Sequence, residues 1–301
     1  MAEDGPLIAV LLAGTLKPSD LRRALDVPAL CLSLAPGVRL LDAWIACTRD
    51  VGVTDLRIVL NTDDDLDAVR DVLQDPDDER VRIIVEPAAW RGTGGILHDV
   101  TRDVPPESRV FLIESSCLPP ASLRPLVDLV TPERAGGIGT TDFDQPAGVM
   151  LFRRAVCDGI PPIGYHDVKE QVLPALHERG ASVRAVRVRE RLVRISDRTG
   201  YLDAVAEWSG GTRVAADAHV DAAARLDGGC LLDARVHVDH GAVVHDSVLL
   251  PGSRIGAGAV ISGSVIGPGA SIAPGVRVVR EVVASPASTG VIAPVAVRVA
   301  G

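Results

Sequence analysis

The sequence predicts an α/β protein built from two parts, an N-terminal domain with a mainly parallel sheet and a C-terminal parallel β-helix. Between residues 7 and 205, short apolar strands alternate with helical segments, beginning with LIAVLLAG (7–14), RLLDAWIACTRDV (39–51) and LRIVL (56–60). This alternation is typical of βαβ units. From about residue 213, apolar residues recur every six positions. A helix repeats at 3.6 residues and a strand at 2, so a period of six indicates the coils of a β-helix.

The remaining elements of the first domain follow the same alternation. Strands are predicted at VRIIVEP (81–87), RVFLIES (109–115), AGVMLF (147–152) and ASVRAVRV (181–188), and helices at DLDAVRDVL (65–73) and VKEQVLPALHERG (168–180). In such folds, ligands bind at the carboxyl ends of the parallel strands. The run FLIESSCLPP (111–120) ends one strand in Glu114, Ser115 and Ser116, and this change from apolar to polar residues marks a candidate site.

The second domain is defined by twelve apolar residues spaced six or five apart. Each is followed mostly by small, polar or turn residues, as in IGAGAV and VIGPGAS. Three such hexads make one triangular coil, so these positions predict about four coils. We therefore expect a first domain over residues 1–212 and a β-helix over 213–301, with a C-terminal cap formed by residues 276–299. The twelve positions are Val214, Val220, Leu226, Leu232, Val238, Val244, Leu250, Ile255, Ile261, Ile266, Ile272 and Val278.

Composition and charge exclude several classes of protein. The chain of 301 residues is 47% hydrophobic and carries a formal net charge of −9, which argues against a nucleic-acid binder because phosphate neutralisation needs an excess of Lys and Arg. The five cysteines are scattered and form no CxxC pair, as expected for reduced thiols. The start MAEDGPLIAVLLAG is acidic and unlike a signal peptide, and no apolar stretch has the length of a membrane span. We expect a cytoplasmic protein without membrane contact.

Four phrases of the sequence resemble one family. They are EPAAWRGTGGIL (86–97), DVKEQVLPALHERG (167–180), RISDRTGYLDAV (194–205) and SVLLPGSRIGAGAVISGSVIGPGASI (247–272). Together with the order of the two parts, they resemble the sugar-nucleotidyltransferase family, the nucleotide-sugar pyrophosphorylases of mannose-1-phosphate guanylyltransferase-like type. This resemblance covers nearly the whole chain. It implies a Rossmann-like, GT-A-like nucleotidyltransferase domain joined to a left-handed hexapeptide-repeat β-helix.

The resemblance also implies a set of binding residues. In that family a sugar phosphate attacks the α-phosphate of a nucleoside triphosphate, and the reaction needs a glycine-rich loop, cations and Mg²⁺ held by carboxylates. The segment after residue 86 corresponds to the family's Gly-Thr-Ala-Gly segment, which lies against the nucleotide base. The implied binding residues in this sequence are Gly14, Glu86, Gly92, Thr93, Gly94, Gly95 and Ser116.

The sequence departs from the family pattern at the catalytic positions. Gly14 alone remains of the phosphate-binding glycines, and Pro18 removes a backbone donor from that loop. The chain has just two lysines, and the sugar lobe is shortened. Ser116 and Arg194 stand where the family has its two metal-binding aspartates, and a hydroxyl and a guanidinium are poor ligands for Mg²⁺. No metal-binding residues are therefore predicted, and Mg²⁺ is a cofactor only if the protein is active.

Three hypotheses about function stay open at this point. The first is a catalytically impaired family member, a pseudoenzyme that binds a nucleotide or nucleotide-sugar in a regulatory or assembly role. The second is an active sugar-1-phosphate nucleotidylyltransferase that uses atypical catalytic residues, namely Lys17, Arg22, Arg23 and Arg194. The third is a structural partner of an active homologue. The expected assembly is a homo-oligomer, or a hetero-oligomer with such a homologue. The base and the sugar are left open.

A fourth and weaker hypothesis is a hexapeptide acyltransferase. Such enzymes use a histidine base between adjacent coils. The β-helix region contains four candidates, His219, His237, His240 and His245, but it has no inserted loop to form an acceptor pocket.

Overall fold

The protein folds into two compact units. The structure, a computed structural model, describes residues 5–14, 18–61, 66–86 and 90–285. The first unit, called the α/β unit, contains the described residues of Met1–Leu16 and Leu41–Leu192. The second, called the coil unit, contains those of Lys17–Leu40 and Val193–Gly301.

Helices and strands alternate over the first two thirds of the chain. A π-helical turn at Val168–Val172 leads into the sixth helix, and 3-10 turns lie at Ala29–Cys31 and Arg154–Gly159. In chain order the elements are β1 (Leu7–Leu12), α1 (Asp20–Leu25), β2 (Ser33–Ala35), β3 (Val38–Arg39), α2 (Leu40–Asp50), β4 (Asp55–Leu60), α3 (Leu66–Asp71), β5 (Val81–Val85), α4 (Gly92–Val100), β6 (Arg109–Glu114), α5 (Arg124–Leu129), β7 (Gly136–Thr140), β8 (Pro146–Arg153), α6 (Leu173–Glu178), β9 (Val183–Arg187) and α7 (Arg198–Ser209).

The α/β unit is built on a seven-stranded sheet with the order β5-β4-β1-β6-β8-β7-β9. Strands β5, β4, β1 and β6 are parallel, β8 is antiparallel to both of its neighbours, and β7 and β9 are parallel to each other. The carboxyl ends of β1, β4, β5 and β6 therefore meet at one edge of the sheet. The predicted α/β class with a mainly parallel sheet is confirmed.

The central strand β1 explains why its sequence is a continuous apolar run. Val10 and Leu11 are both completely buried, although successive side chains of a strand point to opposite faces. Val10 belongs to a core cluster that also contains Leu97 of α4 and Phe152 of β8. Both faces of the strand are thus covered, which is the usual situation in parallel sheets.

The described part of the coil unit contains thirteen short strands that stack in three parallel sheets. The sheet orders are β10-β13-β16-β19-β22, β11-β14-β17-β20 and β12-β15-β18-β21. The strands are β10 (Arg213–Val214), β11 (His219–Val220), β12 (Arg225–Asp227), β13 (Leu231–Leu232), β14 (His237–Val238), β15 (Val243–His245), β16 (Val248–Leu249), β17 (Arg254–Ile255), β18 (Val260–Ser262), β19 (Val265–Ile266), β20 (Ser271–Ile272), β21 (Arg277–Val279) and β22 (Val282–Val283).

The stacking has the repeat length that three hexads predict. Val214 pairs with Leu232, and Leu249 pairs with Ile266, so one coil takes 18 or 17 residues. Leu249, rather than the expected Leu250, occupies the stacked position between Leu232 and Ile266. The apolar residues of the stacks form one buried cluster along the coil. These parallel stacks are consistent with the predicted β-helix.

The C-terminal part of the coil runs further than expected. Strands β21 and β22 pair with β18 and β19, so residues 277–283 continue the stacks instead of leaving the pattern. The rest of the expected cap, from residue 286 onward, lies outside the described residues.

The segment from residue 18 to 40 packs within the coil unit. Helix α1 contacts β22, and the side chain of Leu25 lies against Gly267. The hydroxyl of Ser33 donates a hydrogen bond to the buried carboxylate of Asp233. The fully buried Tyr201 of α7 donates its hydroxyl to the carbonyl oxygen of Ser33, at 2.8 Å. Polar contacts as well as apolar packing therefore join this segment to the rest of the unit.

No helix in the described part of the chain is both long enough and apolar enough to cross a membrane. The five cysteines, all of them within the described ranges, form no disulfide.

Candidate functional site

A pocket lies at the carboxyl ends of the strands in the α/β unit. It has a volume of about 240 Å³. The residues that line it come from the ends of β1, β4 and β5, from the start of α4 and from the loop that contains Tyr165. They are Leu12, Gly14, Val59, Asn61, Glu86, Trp90, Gly92, Thr93, Ile96 and Tyr165. Four of the binding residues expected from the sequence, namely Gly14, Glu86, Gly92 and Thr93, are therefore brought together.

Gly14 is required by the close approach of two strand ends. Its backbone N–H donates to the carbonyl oxygen of Val59 at 3.0 Å, which brings it directly beside Asn61. A Cβ at this position would lie 1.9 Å from Oδ1 of Asn61 and 2.7 Å from its backbone nitrogen. Any other residue would have to displace Asn61 from the pocket wall.

The first turn of α4 forms another wall of the pocket. Gly92 has φ +69°, and a Cβ there would lie 2.7 Å from the carbonyl oxygen of His166, so this position favours glycine on both counts. The hydroxyl of Thr93 donates to Oδ2 of Asp167 at 2.9 Å and accepts from the backbone N–H of Val168 at 3.0 Å. These contacts fix the segment after Tyr165 to the helix start.

Gly94 and Gly95 have a different role from the one expected. Their backbone N–H groups donate to the carbonyl oxygen of His166, at 2.7 and 3.0 Å. Both residues are buried, and neither lines the pocket. Gly94 lets the loop approach the helix closely, Gly95 leaves room for the side chain of Arg91, and both amides are already satisfied by the protein.

Arg91, which the sequence reasoning did not single out, holds the same loop from the other side. Its buried guanidinium donates to Oδ2 of Asp99 at 2.7 Å and to the carbonyl oxygens of Gly164 and Pro161 at 2.6 and 3.0 Å. Burial works against the ionisation of Asp99, but the hydrogen bonds from Arg91 and His98 outweigh it and hold the pKa of this carboxyl below its usual value. The loop that carries Tyr165 is thus anchored by a buried ion pair.

Two exposed aromatic side chains border the pocket. Trp90 is 69% exposed and Tyr165 is 48% exposed. Large aromatic side chains gain stability from burial, and Trp90 also adopts the left-handed backbone conformation, with φ 64°. Solvent-exposed rings beside a cavity provide stacking surfaces for a planar ligand.

Glu86 supplies a carboxylate to the pocket. Burial raises the pKa of Glu86 above its usual value, and the negative charge of Asp99 raises it further. A hydrogen bond from the backbone N–H of Arg91 acts in the opposite direction but does not outweigh them. An ionised carboxylate accepts hydrogen bonds and donates none. Glu86 is therefore suited to bind N–H groups of a ligand.

Ser116 lies in the turn after β6 and does not line this pocket. Close to it along the chain, Oε1 of Glu114 forms an ion pair with Nζ of Lys169 at 2.9 Å. The backbone N–H of Lys169 donates to Oδ1 of Asp167, whose other carboxylate oxygen accepts from Thr93. Asp167 thus connects this ion pair to the pocket wall. The pair was not predicted, and the scarcity of lysine in the chain was the one signal that pointed to it.

The described residues contain no group of three or more His, Cys, Asp or Glu side chains that could hold a metal ion. At the end of β6, the carboxylate of Glu114 is paired with an ammonium group, and the neighbouring Ser116 offers a hydroxyl. Mg²⁺ usually binds through one or two carboxylates, so this strand end offers weak anchorage for it.

Of the four residues expected to be catalytic, Arg22, Arg23 and Arg194 belong to the coil unit. Lys17 lies outside the described residues. On α1, Arg23 pairs with Asp20, and Nη1 of Arg22 is buried without a hydrogen-bond partner among the described residues. Arg194 is exposed, and its carbonyl oxygen lies against Gly200 near the start of α7. The structure thus assigns these three arginines and the lining of the pocket to different units.

The histidines of the coil unit lie on its surface. The rings of His219 and His237, on adjacent coils, are 5.7 Å apart between centroids. His240 contacts Oδ1 of Asp221 at 3.4 Å, and His245 contacts Oδ2 of Asp246 at 3.1 Å. These are the contacts of exposed side chains.

Comparison with known proteins identifies the second part of the chain. Residues 208–285 match a family model described as GlmU-like, C-terminal hexapeptide. This match covers about a quarter of the chain and includes all the stacked strands β10–β22. The region is a GlmU-like hexapeptide-repeat domain, which confirms the predicted hexapeptide repeat. No curated protein matches the chain.

Proposed function

We propose that the α/β unit binds a nucleotide or nucleotide-sugar, as a catalytically impaired relative of the sugar nucleotidyltransferases. The observation that carries this proposal is the pocket at the carboxyl ends of β1, β4 and β5. Four residues that the family resemblance implies as nucleotide contacts line it together, although they are spread over about 80 positions of the sequence.

The topology of the sheet supports a nucleotide-binding fold. Numbered along the chain within this sheet, the first four strands have the spatial order 3-2-1-4. This is the order of the mononucleotide-binding half of doubly wound sheets, in which ligands bind outside the carboxyl ends of the strands. It supports the proposed Rossmann-like, GT-A-like assignment of residues 1–212.

The size and the lining of the pocket suit a nucleobase better than a whole nucleotide-sugar. Small-molecule sites usually have volumes of about 300–1,000 Å³, and this pocket has about 240 Å³. Trp90 and Tyr165 offer faces for stacking, and Glu86 offers an acceptor for N–H groups on the edge of the base. In this proposal the base fills the pocket, while the phosphates and the sugar extend out of it.

The groups at the end of β6 support the proposal of impaired catalysis. Phosphoryl chemistry at this strand end needs a metal-bound carboxylate, whereas Glu114 is held by Lys169 and Ser116 carries no charge. The carboxylate of Asp167 accepts hydrogen bonds from the backbone N–H of Lys169 and from the hydroxyl of Thr93 in the pocket wall, so it holds the cationic Lys169 near the pocket. We propose that Lys169 contacts the phosphates of a bound nucleotide.

For the second part of the chain, residues 213–301, we propose a role in assembly. Stacked coils leave ends and faces that other chains can cover, and a hexapeptide-repeat domain fits a nucleotidyltransferase or an acyltransferase. The alternatives from the sequence remain: an active nucleotidyltransferase using Lys17, Arg22, Arg23 and Arg194, a structural partner of an active homologue, and an acyltransferase.

The test is a thermal-shift panel of nucleoside triphosphates, nucleotide-sugars, sugar phosphates and acetyl-coenzyme A, each with and without Mg²⁺. A ligand at a hundred times its Kd stabilises the folded state by about 2.7 kcal/mol, which corresponds to a melting-temperature shift of several degrees. We expect a shift with a nucleotide or nucleotide-sugar that does not need Mg²⁺. Tyr165→Ala should reduce this shift, and Phe143→Ala, which removes a 79% exposed ring outside the pocket, should leave it unchanged.

The other outcomes separate the alternatives. A shift that requires Mg²⁺, together with pyrophosphate release from a triphosphate and a sugar phosphate, would establish the active enzyme. A shift with acetyl-coenzyme A alone would favour acyl transfer. No shift with any ligand would refute nucleotide binding and leave the structural partner.

A further inference from the structure

A second concave region of the α/β unit lies beside α6. It consists of two adjoining cavities of about 280 and 450 Å³. Both are lined by Val156, Gly159, Leu176 and Arg179, so they form one continuous groove. We call it the arginine groove, because Arg153 and Arg179 line its larger cavity.

Arg153 ends β8 and is largely buried. Its Nη1 atom has neither solvent exposure nor a hydrogen-bond partner among the described residues. A buried N–H group without a partner destabilises the folded protein, and more so when it belongs to a charged side chain. Such a group is satisfied when the side chain turns to meet an acceptor that is bound in the adjoining cavity.

Arg179 follows α6 and turns its guanidinium over Gly159. A Cβ on Gly159 would lie 2.6 Å from Nη1 of Arg179, so the absence of a side chain there makes room for the guanidinium. Within the described ranges, the side chain of Arg179 forms no hydrogen bond or ion pair. Arg153, whose buried Nη1 has no hydrogen-bond partner among the described residues, and the exposed Arg179 thus line the same cavity of an acidic protein with a net charge of −9.

The groove is separate from the candidate nucleotide pocket. Its larger cavity lies at the residues just before β7 and β9, Ala135 and Ser182, and at Arg153, where the antiparallel β8 ends. These positions belong to the amino-terminal edge of the sheet. The nucleotide pocket lies at the opposite, carboxyl-terminal edge.

Glu133 is the one carboxylate among the residues that line the groove. It accepts a hydrogen bond from Thr131, which is the main reason that the pKa of this exposed carboxyl is lowered, and the positive charges of Arg134 and Arg153 lower it further. Glu133 is therefore ionised at neutral pH. Its charge opposes the binding of an anion at the rim of the groove.

We propose that the arginine groove binds the phosphate group of a small phosphorylated molecule, with Arg153 and Arg179 as its two cationic contacts. A guanidinium donates paired N–H groups that match phosphate oxygens, and it binds them without a metal. A tetrahedral phosphate has enough acceptor oxygens for both side chains, and a cavity of about 450 Å³ is large enough for a small phosphate ester.

The test is a ³¹P NMR titration of the full chain with inorganic phosphate. Wild-type protein should bind phosphate saturably, and Arg179→Gln should weaken binding at least tenfold. Glu133→Gln should strengthen it at least twofold, because the opposing charge is removed. Arg184→Gln, which neutralises an exposed arginine on β9 outside the groove, should bind like wild type.

Two further variants test whether phosphate binds in the arginine groove. Trp90→Ala should retain phosphate binding, which distinguishes this groove from the nucleotide pocket whatever ligand that pocket binds. In the absence of phosphate, Arg153→Gln should melt no lower than wild type, because it removes an unpartnered buried group, and yet it should bind phosphate at least tenfold more weakly. Unchanged affinity in Arg179→Gln, loss of binding in Trp90→Ala, or equally tight binding of succinate would overturn the proposal.

Discussion

The backbone of Trp90 provides a sharp test of the candidate nucleotide pocket. Trp90 has φ 64° and a largely exposed side chain, so the protein holds an aromatic ring at the pocket in a conformation that suits glycine. We compare Trp90→Gly with Trp90→Ala. Both remove the ring, but only glycine relieves the backbone strain.

The expected magnitudes follow from these two roles. Left-handed backbone costs a non-glycine residue about 1–2 kcal/mol, and glycine gives up about 0.4–1 kcal/mol through the entropy of the unfolded chain. Trp90→Gly should therefore be more stable than Trp90→Ala by up to about 1.6 kcal/mol. Loss of one stacked ring costs about 1–3 kcal/mol of binding energy, so both variants should bind the nucleotide roughly 5- to 150-fold more weakly.

Urea denaturation measures the stabilities, and titration with the ligand found in the thermal-shift panel measures the affinities. Phe143 is the matched control, because it is an exposed aromatic residue of the same unit with ordinary backbone and no contact with the pocket. At position 143 alanine should be the more stable replacement, and the affinity should not change. If alanine were also more stable at position 90, the strained backbone would be refuted. If affinity were unchanged, the stacking role would be refuted.

Three other predictions concern single groups. Ser33→Ala removes the donor to Oδ2 of the buried Asp233 carboxylate, whose Oδ1 keeps its hydrogen bond from the backbone N–H of Ala234, and should lower the free energy of unfolding by about 1–3 kcal/mol in urea denaturation. Ile261→Ala empties a fully buried position of the coil and should cost about 2–5 kcal/mol, whereas Val279→Ala, at a 46% exposed position, should cost less than about 0.5 kcal/mol. Because burial raises the pKa of Glu86, nucleotide binding should weaken as the pH falls toward that raised pKa. Glu86→Gln should abolish this pH dependence in the same titration. If the variant kept the pH dependence, another group would be responsible for it.

Local periodicity was sufficient to predict much of the architecture. The apolar run LIAVLLAG indicated a strand, and the structure has β1 there, with Val10 and Leu11 completely buried. The period of six indicated stacked coils, and the registers have this repeat. Leu249 and Leu250 are adjacent and both apolar, so the sequence pattern could not distinguish them, and it predicted the wrong one, Leu250. Only the pairing with the neighbouring coils distinguishes them.

Contacts between distant segments could not be read from periodicity. The segment 18–40 has no repeat that marks it as part of the coil unit, and its attachment depends on single groups such as Ser33 and Tyr201. In the same way, nothing local to Arg153 or Arg179 indicates that their guanidinium groups share a cavity. Such sites arise from the order of the strands in the sheet, which brings together residues far apart in the sequence.

The four consecutive residues Gly92, Thr93, Gly94 and Gly95 show where a resemblance to a motif stops being informative. The motif implied that all four contact a nucleotide. The structure turns the first two toward the pocket and bonds the amides of the last two to the carbonyl oxygen of His166. These amides are therefore not offered to a phosphate. In the proposed function, ligand recognition beside this helix start depends on the ring faces of Trp90 and Tyr165 and on the carboxylate of Glu86. The pocket therefore selects the base more strongly than the phosphates.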